Sequence, residues 1–162
     1  MRDNPQADLI ASLYVAMDRH DGEAMVACYH KDVVFRDPAF GELHGEMARD
    51  MWRMLAKAGK DLRVEATNIN ASESRGSAHW EADYTFATKR KVHNVIDATF
   101  EFKDGLIIKH TDDFDFGRWA GQAFGLPGSI LAKTPIMPFA IRQLTRRQLG
   151  AFHAKRKARA NP

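Results

Sequence analysis

The spacing of apolar residues changes at Gly59, between the region of the predicted helices and a long region of alternating residues. Before this glycine, apolar residues recur every three or four positions, as along 10–17 and 47–55, which is typical of helices that bury one face. After it, apolar and polar residues alternate, as in strands with one buried face. A chain that places helices first and strands afterwards favours the α+β class, in which helices cover one face of a sheet.

The same patterns predict the individual elements. The predicted helices span 5–20, 21–29 and 46–58, with Asn4 and Asp21 as the N-caps of the first two. The predicted strands span 33–37, 42–44, 62–71, 78–88, 93–102 and 106–116. Lys103-Asp104-Gly105 is a strong hairpin signal between the last two strands. The last four strands should therefore form an antiparallel meander.

The first predicted strand ends in Asp37, which a proline follows. Alternation places Val33, Phe35 and Asp37 on one face, so an apolar strand face ends in a carboxylate. Partial burial would raise the pKa of this carboxyl group, and such a group can act as a general base. The alternative is that Asp37 caps the following turn through the backbone, as Asp before Pro often does.

Composition excludes several classes of protein. The 162 residues, 44% of them hydrophobic, are enough for one domain with its own core. The single cysteine, Cys28, excludes an internal disulfide and a cysteine-based metal cluster. No apolar run approaches the roughly 18 residues of a membrane span, and residues 1–5 lack the apolar core of a signal peptide. We therefore expect a cytoplasmic protein.

Charge is divided unevenly along the chain. All 21 Asp and Glu lie in residues 1–116, whereas residues 117–162 contain nine Lys and Arg and no acid. We expect 1–116 to form the main domain and 117–162 to be a basic helical extension packed on it, with a last helix over 138–154 and a frayed end at 155–162. A basic tail can also bind nucleic acid or an anionic membrane, but we expect no specific nucleic acid partner and no membrane contact.

The order of the elements and several short motifs resemble the NTF2-like superfamily. Tyr14-Val15-Ala16 and Phe35-Arg36-Asp37-Pro38 are similar to the N-terminal half of ketosteroid isomerases, and 95–97 and 100–105 are similar to their later strand pair. SnoaL-like polyketide cyclases and limonene epoxide hydrolases belong to the same superfamily. The resemblance covers residues 8–116 and implies an α+β cone, in which N-terminal helices pack on a curved antiparallel sheet, here with an additional C-terminal helical segment.

The resemblance also implies catalytic residues. Asp37 matches the catalytic base of the isomerases, and Tyr14 matches the tyrosine of their oxyanion hole. Asp97 resembles the acid that shares this oxyanion hole, although alternation turns it away from the face of Phe100. Asp115 falls where SnoaL-like cyclases and limonene epoxide hydrolases keep a catalytic aspartate.

Each of these assignments has a structural alternative. Tyr14 lies on the apolar stripe of a helix and can be a core residue, and Asp115 follows a strand where turn and cap roles are common. Epoxide hydrolysis in the family needs an Arg and an Asp two positions apart on an earlier strand. Here the pair reads Glu81-Ala82-Asp83, which lacks the cation and counts against that activity.

We therefore expect a small-molecule-binding protein, in the leading interpretation a cofactor-free isomerase or cyclase that uses carboxylate acid/base chemistry on an apolar carbonyl compound. A non-catalytic module for a hydrophobic ligand is the main alternative, and an epoxide hydrolase-like enzyme is another. The expected ligand-contacting residues are Phe35, Met51, Trp52, Leu55, Asp83, Asp97 and His110. We expect no metal site and no cofactor, because no histidine pair has metal-ligand spacing and nothing resembles a phosphate-binding loop.

A homodimer is also expected. Trp80, Tyr84 and Phe86 share one face of a predicted strand. If this were the outer face of the sheet, a monomer would expose a large aromatic stripe, and exposed stripes of that size are usually interfaces.

Overall fold

The structure is a computed structural model that describes residues 4–161. The N-terminal helices are α1 (Pro5–Asp18), α2 (Gly22–Ala27) and α3 (Gly45–Ala58). The Asn4 side chain accepts a hydrogen bond from the Ala7 N–H at 3.0 Å, and Asp21 accepts one from the Ala24 N–H at 3.0 Å. Both predicted N-caps therefore satisfy backbone donors in the first turns of α1 and α2.

A six-stranded sheet follows the first two helices and continues after α3. Its strands are β1 (Tyr29–Asp37), β2 (Gly41–His44), β3 (Arg63–Ala71), β4 (Arg75–Thr85), β5 (Lys91–Lys103) and β6 (Leu106–Asp113), in the spatial order β2-β1-β6-β5-β4-β3. Strands β3 to β6 form the predicted antiparallel meander. β1 pairs in parallel with β6 and antiparallel with β2. The α+β architecture is confirmed, and the sheet is mixed rather than purely antiparallel.

One predicted boundary is shifted at the start of β1. The spacing of apolar residues predicted that the second helix continues to residue 29, whereas α2 ends at Ala27 and Tyr29 opens the strand. Tyr29 pairs with Ile107 of β6, and the Ile107 N–H donates to the Cys28 carbonyl at 3.0 Å. Pairing with a distant strand therefore overrides the local helical pattern.

The sheet has an apolar inner face and a polar outer face. On β4, Ala78, Trp80 and Ala82 are buried, while the alternating residues face outward. Trp80 is only 7% exposed, and Tyr84 and Phe86 are half-buried. The expectation that these three aromatics form an exposed stripe is therefore wrong, because the register of β4 turns them toward the helices. The homodimer itself stays a prediction.

Helices α1 and α3 close the inner face of the sheet. Fully buried side chains of Ile10, Leu13 and Met51 belong to one core with Phe35 and Ile107. Burying an aliphatic or aromatic side chain of this size contributes about 1.5–3 kcal/mol. This packing defines the interior into which the inner face of β1 and β6 points.

The C-terminal region adds three helices. They are α4 (Phe116–Phe124), α5 (Leu126–Leu131) and α6 (Ile136–Ala160). α6 packs on α3, where Asp50 is fully buried. The Asp50 carboxylate lies 2.5 Å from His153 Nδ1 and 2.6 Å from Arg156 Nε, both on α6. These contacts explain why residues 155–160 are helical rather than frayed. No helix within residues 4–161 is both long and apolar enough to cross a membrane.

Candidate functional site

Asp37 lies at the last position of β1 and is half-buried. Its Oδ1 accepts a hydrogen bond from the Phe40 N–H at 2.5 Å, so the carboxylate also caps the turn that follows. Burial raises the pKa of Asp37 to about 7, and the nearby Asp112 charge contributes to the rise. Hydrogen bonds from the Phe40 and Ala39 N–H groups and the Arg142 charge act in the opposite direction. Base and turn-cap roles thus coexist in one carboxyl group.

A buried chain of hydrogen bonds crosses the interior beside this strand end. Asp112 Oδ1 accepts from Trp80 Nε1 at 3.1 Å and from His110 Nε2 at 2.9 Å. The other ring nitrogen of His110, Nδ1, lies 2.8 Å from the Tyr29 hydroxyl. Since Nε2–H is donated to Asp112, a neutral His110 presents Nδ1 as the acceptor of the Tyr29 O–H. Trp80, Asp112, His110 and Tyr29 are all buried.

Two buried donors next to this chain have no hydrogen-bond partner. They are the Tyr14 hydroxyl and the Trp52 indole N–H. Tyr14 packs on Trp80 with ring centroids 5.4 Å apart, and Trp52 stacks on His110 at 5.8 Å. Buried polar atoms are nearly always paired, so an unpaired donor in the interior points to a missing acceptor such as a ligand oxygen or a water.

Electrostatic coupling ties these groups to one region of the interior. Burial raises the pKa of Tyr14 well above its usual value, and Asp112 raises it further. Asp112 also contributes to the raised pKa of Asp37. The pKa of Tyr84 is raised mainly by burial, and the Asp37 charge raises it further. The Tyr84 hydroxyl accepts a hydrogen bond from Trp119 Nε1 at 2.8 Å. The charge of Asp112 therefore influences both Asp37, which can accept a proton, and Tyr14, which keeps its proton.

The structure brings six of the ten predicted site residues into or beside the interior. Those in the interior or at its edge are Tyr14, Phe35, Asp37, Met51, Trp52 and His110. Phe35, on the inner face of β1, contacts Trp52 and His110 edge-on at 5.2 and 5.3 Å. The aromatic wall around His110 is therefore built from β1, β6 and α3.

The other four predicted site residues lie at the surface. They are Leu55, Asp83, Asp97 and Asp115. Asp83 and Asp97 occupy the outer face of the sheet, where they pair with His93 at 2.7 Å and His79 at 2.8 Å. Strand alternation is the physical reason, because their neighbours Ala82 and Ala98 take the inner positions. Asp97 is thus turned outward, as alternation predicted.

Asp115 serves as the N-cap of α4. Its Oδ1 accepts from the Arg118 N–H at 2.9 Å, and its side chain is exposed. The structure therefore does not bring Asp115 into the interior with Asp37. Glu81 stands at the position where the epoxide hydrolase resemblance requires an arginine, and it lies on the outer face of the sheet.

The sequence interpretation missed Asp112 and Tyr29 as members of the site. His110 and Asp112 are two positions apart on β6, so the inward direction of one predicts that of the other. That signal was available, but Asp112 also fits a turn at the end of a strand. Tyr29 was assigned to the end of a helix, which concealed its inward position on β1.

The C-terminal helix holds the turn that follows Asp37. We call residues 38–42 the Asp37 turn. The Thr145 hydroxyl donates to the Ala39 carbonyl at 3.1 Å, and Arg146 donates to the Phe40 and Glu42 carbonyls at 3.1 and 2.9 Å. The carbonyls of this turn are therefore fixed from outside by α6, while the Phe40 N–H holds the carboxylate from inside.

Two surface clefts lie outside the buried chain of hydrogen bonds. One of about 350 Å³ is lined mainly by polar residues, including Asp61, Lys91 and His93, and also by Tyr84 and Val92. Another of about 570 Å³ is lined by residues of the α1–α2 junction and α3, including Arg53. Neither cleft is lined by Asp37 or Asp112. Among residues 4–161, no group of three or more His, Cys, Asp or Glu side chains has an arrangement that could hold a metal ion.

Comparison with known proteins places this arrangement in context. Residues 10–110 match the family model described as a SnoaL-like domain. The matched region includes Tyr14, Asp37 and His110 but ends before Asp112 and α6. No curated protein gave a significant match.

Several solved structures share the fold. A candidate polyketide cyclase from Xanthomonas campestris pv. campestris has a TM-score of 0.62 at 20% identity and covers 74% of this chain and 96% of its own. An LEH-like epoxide hydrolase from M. tuberculosis has a TM-score of 0.61 at 17% identity, and the match covers 81% of this chain and 96% of the hydrolase. An NTF2-like protein of unknown function from Burkholderia pseudomallei K96243 has a TM-score of 0.66 at 16% identity, and the match covers 75% of this chain and 99% of that protein. These likenesses establish the NTF2-like fold.

Proposed function

The chain belongs to the family of SnoaL-like domains, and we propose that it is a cofactor-free acid/base enzyme that acts at the carbon next to a carbonyl group of an apolar small molecule. One observation carries the proposal. Asp37, whose pKa is raised to about 7, shares the interior with the buried Tyr14 hydroxyl, which has no hydrogen-bond partner. A general base works best when its pKa lies near the operating pH.

The reaction follows from the chemistry of these groups. Asp37, when ionised, takes a proton from the carbon next to the carbonyl, and the electron pair of that C–H bond moves toward the carbonyl oxygen. The Tyr14 O–H, whose pKa is raised, keeps its proton and donates a hydrogen bond to the developing enolate oxygen. The Trp52 N–H is a second donor available in the same interior.

Two outcomes are open to the enolate. Asp37 can return the proton to another carbon of a conjugated system, which gives isomerisation with no net change in composition. Alternatively, the enolate carbon attacks a second carbonyl of the same substrate and the new alkoxide takes the proton from Asp37, which gives an aldol-type ring closure. Both outcomes leave Asp37 ionised for the next turnover.

The remaining buried groups have a supporting role in this proposal. Asp112 is fixed by donors from Trp80 and His110, and its charge helps to hold the pKa of Asp37 high. Tyr29 locks the other side of the His110 ring. These hydrogen bonds therefore hold the Asp112 carboxyl group in a defined position beside the base.

The experiment compares the natural chain with Asp37→Asn on a panel of enone and β-keto compounds. Asp37→Asn keeps the shape of the side chain and removes its ability to accept a proton, so turnover should fall about 10²–10⁴-fold. Asp115→Asn is the matched control, because this exposed aspartate only caps α4. Full turnover by Asp37→Asn, or its loss in Asp115→Asn alone, would contradict the assignment of the base.

A non-catalytic ligand-binding protein is the second candidate. The observation in its favour is that Tyr14 and Trp52 can hold a ligand oxygen without any proton transfer. Because Trp52 and Trp80 line the interior, their fluorescence reports ligand entry. Binding of apolar carbonyl compounds by both the natural chain and Asp37→Asn, with no turnover by either, would favour this second candidate.

A further inference from the structure

The C-terminal helices expose an unusual number of large apolar side chains. The exposed large apolar residues of this region are Leu126, Ile130, Leu131, Ile136, Phe139 and Leu144, which are 49–74% exposed. Only two large apolar side chains of residues 4–125, Val15 and Leu55, are exposed to a comparable degree, at 49% and 36%. Exposed apolar groups concentrated in one segment of a protein usually mark an interaction surface.

These side chains lie on defined helix faces. Leu126 and Ile130 are four positions apart on α5, and Ile136 and Phe139 are three positions apart at the start of α6. Leu144, eight positions after Ile136, returns to the side of the helix that carries Ile136. The opposite face of α6 packs on the body through Ile141 and Leu149, which are buried. The outward side of α6 therefore leaves Ile136, Phe139 and Leu144 uncovered.

Positive charge surrounds this apolar face. Arg146 and Arg156 bind the Asp37 turn and α3. The exposed cations that make no ion pair within residues 4–161 include Lys133, Arg147, Lys155, Lys157 and Arg159. Residues 117–162 contain no Asp or Glu at all. A partner that meets this surface must accept aliphatic side chains and supply negative charge.

We propose that the outward face of α5 and α6 binds an anionic lipid surface, with Ile136 and Phe139 entering the interface and Lys133 and Arg147 contacting headgroups. Interfacial helices combine these two features, an apolar face and a basic rim, and anionic lipids attract each nearby Lys or Arg. This binding is independent of the proposed reaction. It is an alternative to the expectation from sequence that the segment makes no membrane contact, because the sequence alone did not reveal which apolar residues remain uncovered.

Two other partners fit the surface less well. A second copy docking through the same face would bring together two segments that each carry nine cations and no acid. Nucleic acid would match the charge, but five of the six exposed apolar residues are aliphatic, and bases stack on aromatic rings. An anionic bilayer accepts both the aliphatic side chains and the cations.

Sedimentation of the full chain with lipid vesicles tests the proposal. The chain should bind vesicles of phosphatidylcholine and phosphatidylglycerol in equal parts, bind pure phosphatidylcholine far more weakly, and dissociate as salt is raised. Ile136→Ser with Phe139→Ser, and separately Lys133→Glu with Arg147→Glu, should each raise the lipid concentration for half binding about tenfold or more. All four positions are exposed or half-exposed at the surface, so these variants should fold.

Val15→Ser is the control, since Val15 is also an exposed apolar residue but lies on α1. It should leave vesicle binding unchanged. Absence of binding to the anionic vesicles, or equal binding to neutral ones, would overturn the proposal. So would a dimeric mass in light scattering that becomes monomeric in the Ile136→Ser, Phe139→Ser variant, because a second copy would then be the occupant of this face.

Discussion

Arg146 and Phe40 are joined by a hydrogen bond of 3.1 Å between the guanidinium Nε–H and the backbone carbonyl. The N–H of the same Phe40 residue donates to the Asp37 carboxylate at 2.5 Å. One residue of the Asp37 turn therefore connects the C-terminal helix to the proposed catalytic base. This connection runs through a helix that lies beyond the region matched by the family model, residues 10–110.

Replacement of Arg146 should loosen this turn. Arg146→Ala removes the donors to the Phe40 and Glu42 carbonyls and should lower the free energy of unfolding by about 1–3 kcal/mol. A looser turn admits water to Asp37, so the pKa of Asp37 should fall toward its ordinary value. Urea denaturation and an NMR titration of the Asp37 carboxyl would measure both effects. Arg147→Ala, the neighbouring exposed arginine, should change neither.

The raised pKa of Asp37 predicts a pH-dependent stability with a defined sign. The folded state binds the Asp37 proton more tightly than the unfolded chain, so this residue favours folding at low pH, and that contribution disappears as pH rises from about 4 to about 7. Since one pKa unit corresponds to about 1.4 kcal/mol, a rise from 3.8 to about 7 sets an upper limit of about 4 kcal/mol.

Comparison with Asp37→Asn isolates this effect from other titrating groups. The difference in unfolding free energy between the natural chain and Asp37→Asn should shift against the natural chain as pH increases through this range and become constant above about pH 8. Urea denaturation at several pH values provides the measurement. A difference that does not change with pH would show that Asp37 has an ordinary pKa.

Asp112→Asn should lower the pKa of Asp37. The substitution removes a negative charge that raises this pKa, while the amide oxygen can still accept from Trp80 and His110. If the chain is an enzyme, its activity should extend to lower pH, because the base remains ionised there. The pH profile of kcat/KM, or the NMR titration, would show the shift. Asp113→Asn is the control, since Asp113 is exposed on the same strand.

Asp50→Ala should be strongly destabilising. The fully buried carboxylate binds Arg53 at 2.7 Å, His153 at 2.5 Å and Arg156 at 2.6 Å. Its removal leaves Arg53 and Arg156 without their shared anion and His153 without its hydrogen-bond partner, and breaking a buried ion pair costs about 3–5 kcal/mol. Thermal unfolding would register the loss. Glu101→Ala, which breaks only an exposed pair with Lys109, should leave the melting temperature nearly unchanged.

Local patterns predicted most of the fold but not its long-range pairing. The caps at Asn4 and Asp21, the meander and the α+β class were all evident from spacing and turn residues. The parallel pairing of β1 with β6 was not, because it depends on contacts between segments far apart in sequence. The same pairing decides that Tyr29 belongs to a strand.

The candidate site was predicted in part for similar reasons. Asp37 could be located because strand, acid and proline are adjacent in sequence. The prediction that Trp80 lies on the outer face was wrong, because alternation separates the two faces of a strand but does not show which face the helices cover. Asp112 was missed because its role depends on Trp80, 32 positions away. The continuation of α6 to Ala160 depends on partners in α3, which no local signal reveals.

Parallel pairing of β1 with β6 also sets an order of assembly. Tyr29 and His110, which share a hydrogen bond, are 81 positions apart, whereas β3 to β6 close through short turns between neighbouring strands. Contacts between distant segments carry a larger loop-closure cost and tend to form late in folding. We expect pulsed hydrogen exchange to protect the amides of the meander before those of β1. The strand that carries Asp37 would then join a preformed sheet, and the proposed base would be among the last groups to reach its place.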